Sequence, residues 1–165
     1  MYAMNVNDAD LATGNKMTKQ VQEYIGNDSS AIVSAQVEAE LGELGLDDKL
    51  DFLNSLGIEN EEDCGLRLLI KNAYETLGLQ TYFTSGPTET RAWTIRKGST
   101  APQAAGIIHS DFERGFIRAE IMNYHDLVVT ADGSESRMKE LGLIKSEGKD
   151  YLMKEGDIAL FRFNV

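Results

Sequence analysis

Few side chains in this 165-residue chain are of types that do chemistry unaided. His109, Ser110 and Asp111 are the residue types of a hydrolase triad, but consecutive positions on a helix point in different directions and cannot form the hydrogen-bond chain that activates a serine. His109 and His125 are the only histidines and Cys64 is the only cysteine, so a zinc set of adequate spacing and an internal disulfide are both excluded. Cys64 follows Asp63 rather than a cation, which favours a structural thiol over a nucleophile. The acids Glu59, Glu61, Glu62 and Asp63 lack the spacing of a calcium loop and read as a solvated stretch. Arg91, Arg96, Lys97, Arg114 and Arg118 are more promising. If they converge, they present a local basic patch to RNA phosphates. If they stay interleaved with Glu89, Asp111, Glu113 and Glu120, they are an ordinary mixed surface, and charge order along a chain does not decide between the two. The aromatics among them, Trp93, Phe112 and Phe116, read as core residues rather than base-stacking platforms.

Composition narrows the class. The formal net charge is -11, which argues against a protein that simply coats nucleic acid. That charge is unevenly spread: residues 1–79 hold 5 basic and 15 acidic side chains, residues 80–165 hold 11 and 12. The shift marks two units of different purpose. No apolar run approaches a membrane span, and Met1-Tyr2-Ala3-Met4-Asn5 has none of the features of a secretory signal, so a cytoplasmic location is expected.

The elements that must position these residues follow from periodicity. Tyr2 to Val6 is a short apolar run ending in a polar cluster, as a strand does at the edge of a parallel sheet. Met17, Val21, Tyr24 and Ile25 recur at helical spacing and stop at Gly26; Ala31 to Ser34 is a second short strand. From Glu38 to Leu79 the pattern is helical. Leu46, Leu50, Leu53 and Leu56 share one face, and Leu66, Leu69, Ile70, Ala73, Tyr74 and Leu77 form a second stripe, both expected to be core. After Gly78 the punctuation is that of strands: 79–84 and 90–95 flank Ser85-Gly86-Pro87 as a hairpin, and a helix capped by Thr100 runs on toward Phe112. Phe116 to Ile121 alternates, Val128-Val129-Thr130 is β-branched, 134–141 is a short helix, and 150–153 with 158–163 is expected to form a closing hairpin. The predicted fold class is α+β: a partial α/β segment over 1–79, then a β-grasp over 80–165, with one helix laid across a mixed sheet.

Gly78-Leu79-Gln80-Thr81-Tyr82-Phe83-Thr84, Arg91 to Ile95, Ala101 to Gly106, His109 to Glu120 and Glu147 to Tyr151 resemble the TGS region of the YchF family of Obg-like P-loop ATPases, and Phe161 to Val165 resembles that family's C-terminal end. The likeness covers about half the chain in long, ordered blocks, and TGS domains also resemble parts of threonyl-tRNA synthetases and stringent-response synthetases. It implies a ubiquitin-like TGS module that engages ribosomes and ribosomal RNA, with no DNA or membrane partner. In residues 1–79, Asn5-Val6-Asn7-Asp8 resembles the family's base-recognition motif and Ser34-Ala35-Gln36 its loop over the base. The implied base-edge residues are Asn5, Val6, Asp8, Ser34, Ala35 and Gln36, with the Asn amide able both to donate and to accept. Asp8 departs from the family's usual Glu and is the acid that guanine-specific sites use; Val6 keeps the family's apolar neighbour, which leaves ATP ahead of GTP. Gln36 stands where Lys is usual and loosens a third contact.

No G-x-x-x-x-G-K-[ST] occurs in the sequence, so the backbone cradle, phosphate-binding lysine and Mg²⁺-holding hydroxyl are missing. The resemblance therefore implies a fragment that hydrolyses no ATP alone and holds ATP, or GTP, with Mg²⁺ only as part of a longer protein. The alternative from another class is a stand-alone ubiquitin-like adaptor that binds proteins without nucleotide chemistry.

Overall fold

The computed structural model describes residues 1–60, 65–86 and 88–164. Cys64 and the acids Glu61, Glu62 and Asp63 lie outside the described residues. The chain divides into two compact units, Met1–Leu77 and Gly78–Val165.

In the first unit, β1 (Tyr2–Asn5) pairs in parallel with β2 (Ser30–Val33), with Tyr2 opposite Ser30 and Asn5 opposite Val33. Between them runs α1 (Lys16–Ile25). The Asn15 side chain accepts from the Met17 and Thr18 amides at its start, and Gly26, at φ +58°, ends it in the backbone region that favours glycine. Further helices follow, α2 (Ala35–Glu43), α3 (Leu46–Ser55) and α4 (Gly65–Leu77). The last is tied to β2 by the Asn72 amide donating to the Ser30 carbonyl at 3.0 Å. Leu11, Val37, Leu53 and Ile58 form a small core, backed by Val6, Ile32, Leu41, Phe52 and Leu56.

Much of the apolar surface expected inside this unit is outside it. On α1, Met17 is 74% and Tyr24 89% exposed, and Leu50, Leu66, Ile70 and Leu77 are exposed as well. The physical reason is the sheet. A parallel pair normally lies inside a larger sheet covered on both faces, and two strands offer too little area to cover every helix stripe.

The second unit is a five-stranded mixed sheet in the order β4-β3-β7-β5-β6. Its strands are β3 (Leu79–Ser85), β4 (Thr90–Arg96), β5 (Phe116–Asn123), β6 (Lys145–Glu147) and β7 (Asp157–Phe163). β3 and β4 form the expected hairpin, while β7 pairs in parallel with β3 and antiparallel with β5. One face is crossed by α5 (Ala101–Ile108), which approaches closely because Ala101, Ala104 and Ala105 face the sheet with no exposure. The Gln103 side chain accepts from the Thr100 amide at 2.9 Å, closing the first turn. Tyr82, fully buried, donates its hydroxyl to the Ala104 carbonyl at 2.9 Å and packs edge-on to Phe161. Burial pushes the Tyr82 phenol well above its ordinary pKa, so it stays a donor.

Four expectations are corrected here. The helix from Thr100 does not run through Phe112: His109 is extended (φ -160°, ψ 138°) and separates α5 from α6 (Ser110–Arg114). The His109 Nδ1 accepts from the Asp111 amide at 3.2 Å, so this histidine caps α6. Phe116 to Ile121 does not alternate evenly. Phe116 pairs with Phe163 but Arg118 with Arg162, so Ile117 is an extra residue in a β-bulge, which lets Phe116 and Ala119 both face the core.

Asp126–Thr130 is a turn of π-helix rather than a strand, with the Ala131 amide bonded to the Asp126 carbonyl at 3.0 Å. It leads into α7 (Glu135–Glu140), whose Met138 is fully buried. Finally, 150–153 forms no hairpin with β7, because β3 and β5 occupy both edges of that strand. The segment runs beside 99–101, bonded through Tyr151 O and the Met153 amide. It is anchored by buried Asp157, whose Oδ2 accepts from the Tyr151 hydroxyl and the Lys154 amide, each at 2.9 Å.

Candidate functional site

Parallel strands end on the same side, and β1 and β2 deliver Asn5 and Ser34 to one edge of their sheet. Sheets of this kind bind ligands beyond the carboxyl ends of their strands. The Val6 amide extends the ladder by donating to the Val33 carbonyl at 2.9 Å, while the Val6 side chain packs on the small core. Asn5 Oδ1 accepts from the Ala35 amide at 3.0 Å, a contact across thirty residues. It leaves the exposed Nδ2 without a protein partner among the described residues.

Ser34, Ala35 and Gln36 are not a loop. Ser34, completely buried, caps α2 by accepting from the Val37 amide at 3.4 Å, and Ala35 and Gln36 form the first helical turn. The loop expected there gives way to a helix start because the Ser34 oxygen satisfies an amide that would otherwise be free. Gln36 donates to Glu40 Oε1 at 3.1 Å along the helix. Asp8 begins a 3-10 turn, Asp8–Asp10, with Oδ1 taken by the Ala9 amide at 2.8 Å. The arrangement therefore offers one amide donor, on Asn5, and one exposed carboxylate, on Asp8.

The five basic residues do not converge. Arg91 and Arg96 sit at opposite ends of edge strand β4, roughly 17 Å apart at the usual rise per residue. The Arg91 guanidinium lies 4.2 Å from the Trp93 ring centre, and the Trp93 indole donates to Thr84 Oγ1 at 2.9 Å. Lys97, next to Arg96, donates its backbone amide to the Gly78 carbonyl at 2.7 Å. Arg114 ends α6 and pairs with Asp111, whose carboxyl is held below the usual range chiefly by that contact.

Arg118 is three strands away from β4, and it has company that sequence reasoning missed. Arg162 lies directly opposite on β7, and Glu120 bridges the two: its Oε1 accepts from Arg118 Nη2 and Arg162 Nε, and its Oε2 from Arg162 Nη2, each at 3.3 Å. Arg162, then Arg118, holds the Glu120 carboxyl below its ordinary pKa. Phe161-Arg162-Phe163 shows by alternation that Arg162 faces away from the core, but its register against Arg118 has no local signal.

Trp93 and Phe112 pack partly buried against the core and Phe116 is inside it. Among the described residues no helix is long and apolar enough to cross a membrane.

The architecture defines a class: α+β chains in which a parallel-sheet unit with helices precedes a β-grasp unit. Residues 79–164 match the family YchF-GTPase_C, described as a protein of unknown function (DUF933). The whole chain is 46% identical over 169 residues to the Ribosome-binding ATPase YchF of Bacillus subtilis, covering 45% of it, and 40% identical to Obg-like ATPase 1 of Gallus gallus, covering 41%. The solved YchF GTPase of Schizosaccharomyces pombe superposes with a TM-score of 0.81 at 34% identity, over 98% of this chain and 43% of that one. A GTP binding protein from Pyrococcus horikoshii shares the fold at a TM-score of 0.62 and 19% identity. This chain belongs to the YchF family, and it spans less than half the length of these curated relatives.

Proposed function

We propose that this chain is the C-terminal portion of a cytoplasmic, ribosome-associated ATPase, in which residues 1–79 supply the base-recognition edge of the nucleotide site and residues 80–165 are a TGS domain that meets ribosomal RNA. The observation that carries the first half is the bond from the Ala35 amide to Asn5 Oδ1. It orients the amide so that Nδ2 points its donors at a purine acceptor, and it joins the two segments that a base would touch. Asp8 supplies the acid for an exocyclic amine. The bare α1 and α4 stripes and the two-stranded parallel sheet support a unit completed by further strands.

ATP with Mg²⁺ supplies the phosphoryl group in such a protein; its phosphates need a cradle this sequence does not encode, so Asn5, Asp8 and the Ser34–Gln36 turn do no more than select and orient the base. Joined behind the nucleotide-binding half of the Bacillus subtilis relative, the chain is expected to restore ATP binding. Asn5→Ala in that fusion should weaken ATP about 10- to 100-fold, the worth of one or two lost hydrogen bonds in a desolvated site. Calorimetric titration reads this directly, and equal affinity for both proteins would remove Asn5 from the base site.

For the second half, the unfused chain is expected to co-sediment with purified ribosomes at low salt and to be released as salt rises, as phosphate contacts require. A chain that stays in the supernatant at every ionic strength would end the ribosomal reading.

A further inference from the structure

The geometry points to a phosphate-binding face on β5 and β7, built from Arg118 and Arg162 and organised by Glu120, which takes the RNA backbone in place of the scattered β4 cations. This deepens the proposed TGS function and rests on it. Two arginines directly opposite on neighbouring antiparallel strands repel, and such pairs destabilise a sheet unless an anion lies between them. Glu120 is that anion, but it is one carboxylate for two guanidiniums. Its contacts, at 3.3 Å, are longer than the 2.7–2.9 Å usual for charge-assisted hydrogen bonds.

Each guanidinium has five donors, so most remain free for a second anion on the open side. The side chains of Arg118 and Arg162 are 54% and 51% exposed, that of Glu120 only 27%, which places the cations outermost. Lys139 of α7 is paired with Glu135 at 2.8 Å, so the face rests on the two arginines.

The bulge at Ile117 is what creates this face. With regular alternation from Phe116, Arg118 would point into the core; the extra residue turns it to the side of Glu120. Leu160, opposite Glu120, and Ile117 are exposed beside the pair and supply apolar surface for a ribose or base. Planar forks flanked by apolar surface fit phosphodiester oxygens bidentately, which a lone ammonium does not.

The test measures a fluorescein-labelled RNA stem-loop and purified ribosomes against four forms of the full chain: wild type, Arg118→Glu with Arg162→Glu, Arg118→Gln with Arg162→Gln, and Arg96→Glu with Lys97→Glu. Both β5/β7 double variants should lose at least about tenfold in RNA affinity and lower the salt slope by about one to two, as loss of two phosphate contacts predicts. The β4 variant should change affinity less. The glutamine pair removes the like-charge repulsion, so it keeps the sheet intact and remains decisive if the glutamate pair misfolds.

Wild-type RNA affinity and salt slope in the glutamine pair would overturn the proposal while leaving ribosome association standing. Ribosome co-sedimentation without RNA binding would overturn it in favour of an acidic protein partner. A wild type that binds neither would bring down the functional reading together with it.

Discussion

Tyr82→Ala is expected to cost about 4 kcal/mol and to unfold the second unit in moderate denaturant, the usual penalty for removing a large buried aromatic. Tyr82 is fully buried between α5 and the sheet, and it does two jobs at once. Its ring fills the layer against Phe161, and its hydroxyl bonds the Ala104 carbonyl, fixing the helix along the sheet. Tyr82→Phe separates the two contributions. It keeps the ring and loses one hydrogen bond, for a cost of about 1 kcal/mol. Trp93, the only tryptophan, lies in this unit, so its fluorescence during urea unfolding of the full chain reports the right transition. If the alanine variant unfolds at nearly the wild-type urea concentration, the core has been misassigned.

The second large effect is at Asp157. It is 2% exposed, and one oxygen of its carboxylate serves two donors, the Tyr151 hydroxyl and the Lys154 amide. Asp157→Ala strands both, with an expected loss of about 3 kcal/mol, since hydrogen bonds to a charged group are worth roughly twice neutral ones. Burial, followed by the bond to Asp157, pushes the Tyr151 phenol above its ordinary pKa, so the donor persists throughout the neutral range. Tyr151→Phe in both backgrounds completes a double-mutant cycle. A coupling energy near zero would show that the carboxylate does not hold the 150–157 segment; a coupling of about 1 kcal/mol or more is expected.

The consequence for function is positional. Asp157 begins β7, the strand that carries Arg162, and Gly115 precedes β5, the strand that carries Arg118. The Asn164 amide donates to the Gly115 carbonyl at 2.9 Å, and a Cβ on Gly115 would run into the Asn164 backbone. The far end of β7 is thus pinned against the start of β5, which holds the two arginines in register.

Local signals in the sequence determined a good deal. Glycine stops and the Thr100 cap placed α1, the β3–β4 hairpin and the start of α5, because caps and turns depend on residues within a few positions of one another. The long blocks around Tyr82, Trp93 and His109 carried the family. What only the tertiary structure decided was every feature that depends on partners distant in the chain. The bond from Ala35 to Asn5 spans thirty residues; β7 is claimed on both edges, so 150–153 bridges to 99–101 instead; the bulge at Ile117 exists because Phe116 and Ala119 must share one core. Charge order along the chain left Arg91, Arg96, Lys97, Arg114 and Arg118 open as a patch or a mixed surface, whereas strand register set Arg118 against Arg162, since side-chain neighbours in a sheet are chosen by pairing across strands and not by proximity in sequence.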